Sequence, residues 1–449
     1  MKKKKEADLG KDSLGPLLLK LALPAILAQI INVLYNMVDR MYIGHIPKVG
    51  PSALTGVGVT MPVIMAISAF AALVSMGGAP RASIMLGRGE HPKAEKILGN
   101  CTVMLVIMAI ILTAVFLIWG EPILMVFGAS EATIGYALDY MRIYALGTIF
   151  VQLALGLNAF INAQGYAKIG MITVAIGALC NIVLDPIFIF SMSMGVKGAA
   201  LATIISQGLS AILCLYYIKK KVTFLLPSKS DFVLDSSLYL DLFGQGMAMG
   251  LMNSIVSIGT VTLQYAINGF GPLIISAQVA ARRIMSFAVL PLTSLAAGVT
   301  TFTSQNFGAK QFKRIVAGLK QSCLVSITWS VIACVLLYVA SPFLAGFISG
   351  SNNAVIIDNA SRYLRISSLF YPILGMLFIF RNSLQGLGKK LTPLTSSFIE
   401  LFGKILFVLL VIPSMRYLGV ILCEPLIWIP MTIQLYFALR KHIKRLFVS

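Results

Sequence analysis

Twelve long apolar runs recur along the 449 residues of this chain. Crossing the hydrocarbon core of a bilayer takes roughly 20 apolar residues as a helix, and each run reaches that length. The runs lack the alternation of a barrel strand, which favours helices. Of the residues, 58% are hydrophobic and only 12% are charged. A soluble domain of this size could not bury so much apolar surface. We therefore predict an all-α polytopic membrane protein with twelve transmembrane helices at 17–43, 53–80, 94–118, 132–162, 166–190, 196–218, 238–268, 273–303, 315–340, 357–386, 391–412 and 417–439.

Positive charge accumulates in every second connection between these spans. The net charge is +20, yet the connections in between carry few basic residues. This is the positive-inside pattern. It predicts a multi-pass protein of the plasma membrane with both termini cytoplasmic, and it excludes nucleic acid as the reason for the charge. The basic connections contain Lys2 to Lys5, Arg88, Lys93, Lys168, Lys219 to Lys221, Lys310, Lys313, Lys389, Lys390, Arg440 and Lys441.

The cysteines, histidines and glycines exclude several other kinds of site. The six cysteines are scattered singly within apolar spans, which predicts packing roles and neither a disulfide nor a metal site. The three histidines fall in loops or in the tail, so a proton relay inside the membrane would have to use carboxylates. No G-x-x-x-x-G-K-[ST] phosphate loop occurs, so we expect no bound nucleotide and no cofactor.

The second half of the chain matches the first half at one constant shift in residue number. The shift aligns Asn32 with Asn253, so it is 221. Each half contains six spans, and we therefore predict parallel repeats about an axis normal to the membrane, with the substrate path at their interface. The predicted parts are a tail at 1–16, a lobe at 17–218, a cytoplasmic linker at 219–236, a lobe at 237–440 and a tail at 441–449. The same shift also aligns Ser83 with Ser304, Gly87 with Gly308, Gln164-Gly165 with Gln385-Gly386, and Lys168 with Lys389.

A series of short motifs runs through the first half. They are Leu23-Pro24 with Asp39 further on, Leu86-Gly87-Arg88-Gly89, Asn162-Ala163-Gln164-Gly165, Asn181-Ile182-Val183-Leu184-Asp185-Pro186 and Gly198-Ala199-Ala200-Leu201-Ala202-Thr203. With them the chain resembles the multidrug and toxic compound extrusion (MATE) family over essentially its whole length, and in particular the bacterial branch with Gram-positive multidrug exporters. The resemblance implies two six-helix lobes that form a V, and ion-coupled antiport.

Two carboxylates within the spans are functional candidates, because a carboxylate near the bilayer centre costs several kcal/mol unless it is protonated, paired or hydrated. Asp39 shares one helix face with three polar residues that precede it. Asp185 follows Asn181 by one turn and precedes Pro186, which frees backbone carbonyls that could solvate a cation. The alternative is that these groups only hold helices together. The polar residues on the face of Asp39 are Asn32, Tyr35 and Asn36.

The repeat and the resemblance both bear on these acids. At the constant shift, Asp39 falls on Thr260, Asp185 on Leu406 and Asn181 on Phe402, so only the first lobe carries the acids. The resemblance implies a cation or proton site at Asp39, Asn181, Asp185 and Thr203, where Na⁺ would be the one metal ion bound. It implies supporting polar neighbours at Asn32, Tyr35 and Asn158.

The second lobe has charged residues of its own. Glu400 and Lys404 are one turn apart, which indicates either a self-paired couple or a role in cation binding. Arg282 and Arg283 lie inside a span, so at least one should face the cavity or a carboxylate, for which Glu400 is the candidate. We expect Glu424 to occupy a solvated interfacial position.

Taken together, the sequence predicts a secondary active antiporter that exports small, often cationic, drug-like molecules in exchange for H⁺ or Na⁺. Such a multidrug efflux protein would contribute to antibiotic resistance, and we expect a monomer in the lipid bilayer. One alternative is a flippase for a lipid-linked saccharide from the same wider superfamily, which usually has extra helices. The other is a polytopic membrane enzyme, which would need a catalytic cluster at membrane depth that the sequence lacks.

Overall fold

The computed structural model describes residues 8–220, 228–233 and 235–447. Of the basic residues used above, Lys2 to Lys5 and Lys221 lie outside the described residues. Within these ranges the chain is helical, without strands. Ten helices are long and apolar enough to cross a membrane, and there are twelve spans when each of two bent pairs is counted as one. The predicted all-α polytopic fold is therefore confirmed.

The twelve spans agree with the predicted ones in order and approximate length. In chain order they are α1 (Leu14–Gly44), α2 (Gly50–Gly87), α3 (His91–Ile118), α4 (Ile134–Leu146 with Thr148–Ala163), α5 (Ala167–Ser191), α6 (Val196–Lys220), α7 (Ser236–Asn268), α8 (Pro272–Gly308), α9 (Phe312–Ser349), α10 (Ala354–Ser368 with Tyr371–Gly386), α11 (Leu391–Met415) and α12 (Tyr417–Leu446). The two parts of α4 meet at 57° and those of α10 at 56°. The same bend thus recurs at the fourth span of each half, as a duplicated chain requires.

Helix-end hydrogen bonds test the predicted constant shift between the halves. At the end of α2, Gly89 N–H donates to the Leu86 carbonyl at 3.0 Å, and at the end of α8 Lys310 N–H donates to the Phe307 carbonyl at 3.1 Å. Both turns use a left-handed residue, with φ of 76° at Gly89 and 56° at Lys310. Gly89 and Lys310 are related by the shift that aligns Asn32 with Asn253, as predicted.

The constant shift is wrong at the end of the fourth span. Gly165, with φ of 90°, ends α4, and its counterpart in the left-handed conformation after α10 is Gly388, with φ of 73°. The two turns make the same hydrogen bonds. The predicted match of Gly165 with Gly386 is therefore displaced two positions along the chain. The predicted shift returns where α6 and α12 begin, since Gly198 and Gly419 donate to Gly195 and Arg416 at the same 3.0 Å.

Close packing divides the chain into two units that differ from the two repeats. The N unit is Pro24–Met247, and the C unit is the chain before Pro24 together with the chain from Ala248 onward. The first part of α1 therefore belongs to the C unit and the first part of α7 to the N unit. The lobe boundaries at 17–218 and 237–440 stay a prediction.

Each unit has its own apolar core. The N unit contains two clusters, one around Leu98 and Phe160 and one around Ile67 and Tyr140. The C unit contains one larger cluster, which includes Leu18 from the first part of α1. Because the lipid-facing surface of such helices is also apolar, close approach at small residues contributes to their association.

The first part of α7 packs against α2 through two glycines. A Cβ atom added to Gly77 would collide with the carbonyl oxygen of Leu242, and one added to Gly246 would collide with that of Leu73. Glycine therefore permits a backbone separation here that any side chain would prevent.

The segment that precedes α7 is fastened to α3 by two polar side chains. Asn100 Nδ2 donates to the carbonyls of Asp231 and Val233 at 3.1 and 3.3 Å, and its Oδ1 accepts from the Asp235 N–H at 3.0 Å. Lys96 Nζ lies 2.6 Å from Asp235 Oδ2. The hydrogen bond from Lys96 holds the pKa of the Asp235 carboxyl well below its usual range.

Candidate functional site

A pair of buried carboxyl groups forms the centre of the N-unit site. Asp39 in α1 is 9% exposed, and Asp185 in α5 is fully buried. Their carboxyl groups lie near enough to interact with each other, and a hydrogen bond between them would require one of them to carry a proton. Two like charges at this separation repel strongly in a low-dielectric interior. The geometry therefore favours one shared proton or one bound cation over two bare carboxylates.

Two further predicted residues join this pair. Asn181 Nδ2 donates to Asp185 Oδ1 at 3.2 Å, and it approaches Thr203 Oγ1 in α6 at 3.5 Å. The Thr203 hydroxyl donates to the Ala199 carbonyl at 3.0 Å, which orients its lone pairs away from its own helix. The structure thus brings together Asp39, Asn181, Asp185 and Thr203, which together we name the acid cluster.

The acid cluster has more oxygen acceptors than donors. Asp39 Oδ1, Asp185 Oδ2 and Asn181 Oδ1 are buried and have no hydrogen-bond partner within the described residues. Leaving such atoms unpaired in an apolar interior costs free energy. A proton, or a hard cation with oxygen ligands such as Na⁺, fits this donor set because it would satisfy those oxygens.

The backbone beside Asp185 departs from the regular α-helix. The helix is regular up to Pro186, and the next five residues, Ile187–Ser191, form a π-helical turn. Proline has no N–H to donate, which disrupts the hydrogen bonding of the preceding turn, and π turns occur often at functional sites. The irregular turn thus follows Pro186 and does not precede it, so the release of carbonyl oxygens beside Asp185 stays a prediction.

The polar residues on α1 lie at different distances from the acid cluster. Tyr35 is within electrostatic range of both carboxyl groups. Asn36 is exposed, and its amide donates to the Asn32 carbonyl of its own helix at 2.6 Å. Of the three, Tyr35 is the residue that the structure places next to the acids.

Asn158 lies in a different polar group. Its Nδ2 donates to the Gly170 carbonyl and to Thr173 Oγ1, both at 2.9 Å, and its Oδ1 accepts from Asn162 at 2.8 Å. Thr173 precedes Asp185 by twelve residues on α5, which is about 18 Å along a helix. Asn158 therefore joins α4 to α5 away from the acid cluster.

Tyr140 lies beside the acid cluster, and the sequence analysis missed it. It is buried in the first part of α4 and lies within electrostatic range of Asp39. Its ring stacks on that of Tyr144, with centroids 6.0 Å apart. The signal that could have found it is this pair of tyrosines one turn apart inside an apolar span.

The C unit contains a second group of buried charges. Lys404 Nζ lies 2.9 Å from Glu400 Oε1, 3.1 Å from Glu424 Oε1 and 3.4 Å from Thr260 Oγ1. Glu424 Oε1 also lies 3.0 Å from Arg282 Nη2. The result is a chain of alternating charges, Arg282–Glu424–Lys404–Glu400, which we name the charged network.

Two expectations about the C unit are wrong, whereas the expectation that at least one of Arg282 and Arg283 meets a carboxylate is confirmed. The solvated position predicted for Glu424 is wrong, because its side chain is 11% exposed and bridges two cations. The carboxylate that pairs with Arg282 is Glu424, whereas Glu400 pairs with Lys404. Arg283 is exposed and has no ion pair within the described ranges, so it does not join the network.

Comparison with known proteins places these sites in a family context. The MatE family model matches residues 24–187 and again residues 248–410, so each half of the chain matches separately. The chain is 23% identical to multidrug export protein MepA of Staphylococcus saprophyticus, over 84% of this chain and 83% of the relative. It is 24% identical to an FAD transporter of Shewanella oneidensis, over 94% of each. In fold it is similar to a MOP superfamily transporter from Pyrococcus furiosus, with a TM-score of 0.87, 21% identity and 99% of each chain covered.

Proposed function

Because this chain belongs to the MatE family of membrane transporters, we propose that it is a secondary active antiporter that exports small organic compounds in exchange for H⁺ or Na⁺. The observation that carries the proposal is the acid cluster, in which two adjacent buried carboxyl groups leave oxygen atoms without partners. The chain is not an enzyme, and family members draw on an ion gradient without a cofactor. We infer that it works as a monomer.

The coupling step follows from the physical chemistry of the acid cluster. Asp39 and Asp185 repel each other when both are ionised, and a proton or Na⁺ that enters from outside relieves that repulsion. Ion binding therefore favours the conformation of the N unit in which the two carboxyl groups are close. A ligand can shift a conformational equilibrium only by its difference in affinity for the two states, and the adjacent acids supply that difference.

The substrates that we propose are small, often cationic, drug-like compounds. The name of the MepA relative describes multidrug export, and this supports a drug-like cargo. The FAD transporter relative carries a different organic molecule by name, so a metabolite is the second candidate. A flippase for a lipid-linked saccharide remains the alternative within the wider superfamily, and an assay with soluble dyes separates it from an exporter.

The test of this proposal is ethidium efflux from proteoliposomes. The pH gradient and the sodium gradient are imposed separately, so that each coupling ion is tested alone. We expect efflux to accelerate under at least one of them. Efflux that ignores both gradients, from liposomes in which the protein is folded, would contradict ion-coupled antiport.

We also propose that both termini and the linker lie in the cytoplasm of a bacterial cell, which the loop charges support. In a variant without native cysteines, single cysteines replace Lys220 at the end of α6 and Asn352 between α9 and α10. An impermeant thiol reagent added to intact cells should label position 352 and spare position 220. Labelling of position 220 alone would invert the proposed orientation.

A further inference from the structure

One member of the charged network, and one residue that contacts it, lie at repeat positions of the acid cluster. The turns at the end of α2 and α8 and at the start of α6 and α12 are related by the constant shift predicted from the sequence. At this shift Asp39 corresponds to Thr260, and Thr203 corresponds to Glu424. Thr260 and Glu424 both contact Lys404. The two units thus place polar groups on equivalent helices, but the charges differ.

The fifth helix of each repeat contributes a polar pair one turn apart. In α5 the pair is Asn181 and Asp185, and in α11 it is Glu400 and Lys404. The pair in α5 joins a carboxylate to an amide, whereas the pair in α11 joins a carboxylate to an ammonium group. The N unit thus has unpaired hydrogen-bond acceptors in its polar site, whereas the C unit has additional hydrogen-bond donors.

The charges in and around the network do not balance. Arg381 in α10 is 8% exposed and lies within electrostatic range of Glu400. With Arg282 and Lys404 it makes three cations, against the two carboxylates of Glu400 and Glu424. Among the described residues this leaves one excess positive charge in the interior of the C unit, where an unbalanced charge is costly.

Two guanidinium groups of this set have unused donors. Arg282 Nε and Arg381 Nε are buried and have no hydrogen-bond partner among the residues that the structure describes. The Arg381 Nη2 donates to Ser396 Oγ at 2.9 Å. A guanidinium group presents its donors as a planar fork that matches a carboxylate or a phosphate.

Arg282 is the most exposed member of the charged network. Its side chain is 31% exposed, whereas Lys404 is 2% exposed and Glu424 is 11% exposed. The same Glu424 oxygen contacts both cations. When an anion engages Arg282, Glu424 therefore keeps Lys404 as its partner, and no carboxylate is left unpaired.

From these observations we propose that Arg282 binds a carboxylate or phosphate group of the transported molecule, so that the substrates include zwitterions and organic anions. The inference rests on the proposed transport function, because that function makes the bound molecule a substrate. The binding site itself is argued from the C unit alone. It assigns the charged network a different task from the acid cluster, which binds the coupling ion.

The test measures equilibrium binding in the absence of any gradient. The purified full-length protein, in nanodiscs of phosphatidylcholine, is titrated with a fluorescent fluoroquinolone, which carries a carboxylate and a basic amine, and with its methyl ester, which keeps the amine. The wild type should bind the acid more tightly than the ester. Arg282→Gln should lose about tenfold in affinity for the acid, the effect of one hydrogen bond between charged groups, and little for the ester. Arg283→Gln, the adjacent exposed arginine, should behave as the wild type.

Each outcome of this experiment bears on the proposal. Equal preference for the acid in Arg282→Gln and the wild type would overturn it, as would a wild type that binds the ester as well as the acid. If Arg282→Gln does not fold, Arg282→Gln combined with Glu424→Gln removes the ion pair as a unit, and the same loss of preference is expected.

A second set of nanodiscs separates a substrate from a lipid as the bound anion. Phosphatidylglycerol is added, and its competition with the fluoroquinolone is measured. Competition that Arg282→Gln removes, without a preference for the acid in phosphatidylcholine alone, would assign the site to a lipid headgroup and overturn the substrate assignment. Because no gradient is used, failed antiport leaves this result intact, and failed binding leaves the antiport test intact.

Discussion

Lys404→Met is expected to destabilise the protein strongly, because Lys404 is the cation shared by two buried carboxylates. Its Nζ lies 2.9 Å from Glu400 and 3.1 Å from Glu424, and its side chain is 2% exposed. Methionine has a similar length and no charge, so the change removes the charge without creating a large cavity. Glu400 then has no partner in the network, and Glu424 keeps Arg282 alone.

The expected magnitude follows from the burial of these groups. Removing one partner of a buried ion pair costs about 3–5 kcal/mol, since the remaining charge stays in the interior without compensation. Lys197 is the matched control, because its pair with Asp139 at 3.5 Å is exposed, at 55% and 41%. Such surface pairs contribute about 0–1 kcal/mol, so Lys197→Met should be close to the wild type.

The assay is thermal unfolding followed by a thiol-reactive dye. Cys101, Cys214 and Cys423 are buried, so their labelling reports the loss of packing in both units. Lys404→Met should lower the midpoint by on the order of 5 °C or more. A second change, Glu400→Gln, should restore part of the loss because it removes the carboxylate left unpaired.

If Lys404→Met unfolds at the same temperature as Lys197→Met, the charged network contributes no more to stability than a surface ion pair does. That result would refute the expected destabilisation. A double variant that is less stable than Lys404→Met would contradict the assignment of Glu400 as the unpaired charge.

Three further predictions concern the N unit. Asp39→Asn and Asp185→Asn should each abolish gradient-driven efflux at matched expression, since an amide keeps the volume of the side chain and loses its charge. Some drug binding should persist in both variants. Efflux at the wild-type rate in both variants would mean that the two residues serve only helix association. The pKa of Asp235 is lowered by Lys96, so its stabilisation is complete above about pH 4 and is lost as the pH falls through the lowered value. Pepsin should cut the segment before α7 faster as the pH falls below about 4, and Lys96→Met should remove this dependence. Gly77→Ala should lower the free energy of unfolding by about 1–3 kcal/mol, which thermal unfolding measures. An unchanged midpoint would show that α2 and α7 can move apart without a loss of stability.

The sequence predicts the fold well because every span is constrained by the bilayer. A helix must be apolar and long enough wherever it crosses, and the length and charge of each connection are visible in the chain. The bends in α4 and α10 were not predicted. Those spans are continuously apolar through the bend, so hydropathy does not reveal it.

The acid cluster was predictable for a related reason. A carboxylate within an apolar run is conspicuous, and Asp39 and Asp185 stand out without knowledge of neighbouring helices. Tyr140 is less conspicuous, because a single tyrosine is common in an apolar span and only its pairing with Tyr144 sets it apart. The partner of a charge depends on packing, and for this reason Arg282 was paired with Glu400 and not with Glu424.

The repeat alignment failed where the structure is least regular. A constant shift cannot describe halves in which Gly89 corresponds to Lys310 but Gly165 corresponds to Gly388. The difference is absorbed within α5 and α11, each of which contains a π-helical turn. The matches proposed for Asp185 and Asn181 therefore lie in the segment where the register changes.

The division of α1 and α7 between the two units has a consequence for biosynthesis. The C unit needs residues from before Pro24 as well as residues from Ala248 onward. The segment before Pro24 is translated long before Ala248, so it must stay in the membrane without its packing partners until the second half of the chain has been synthesised. Two fragments separated at the linker would each lack a segment that the other carries, so we expect them to become stable only when they are synthesised in the same cell.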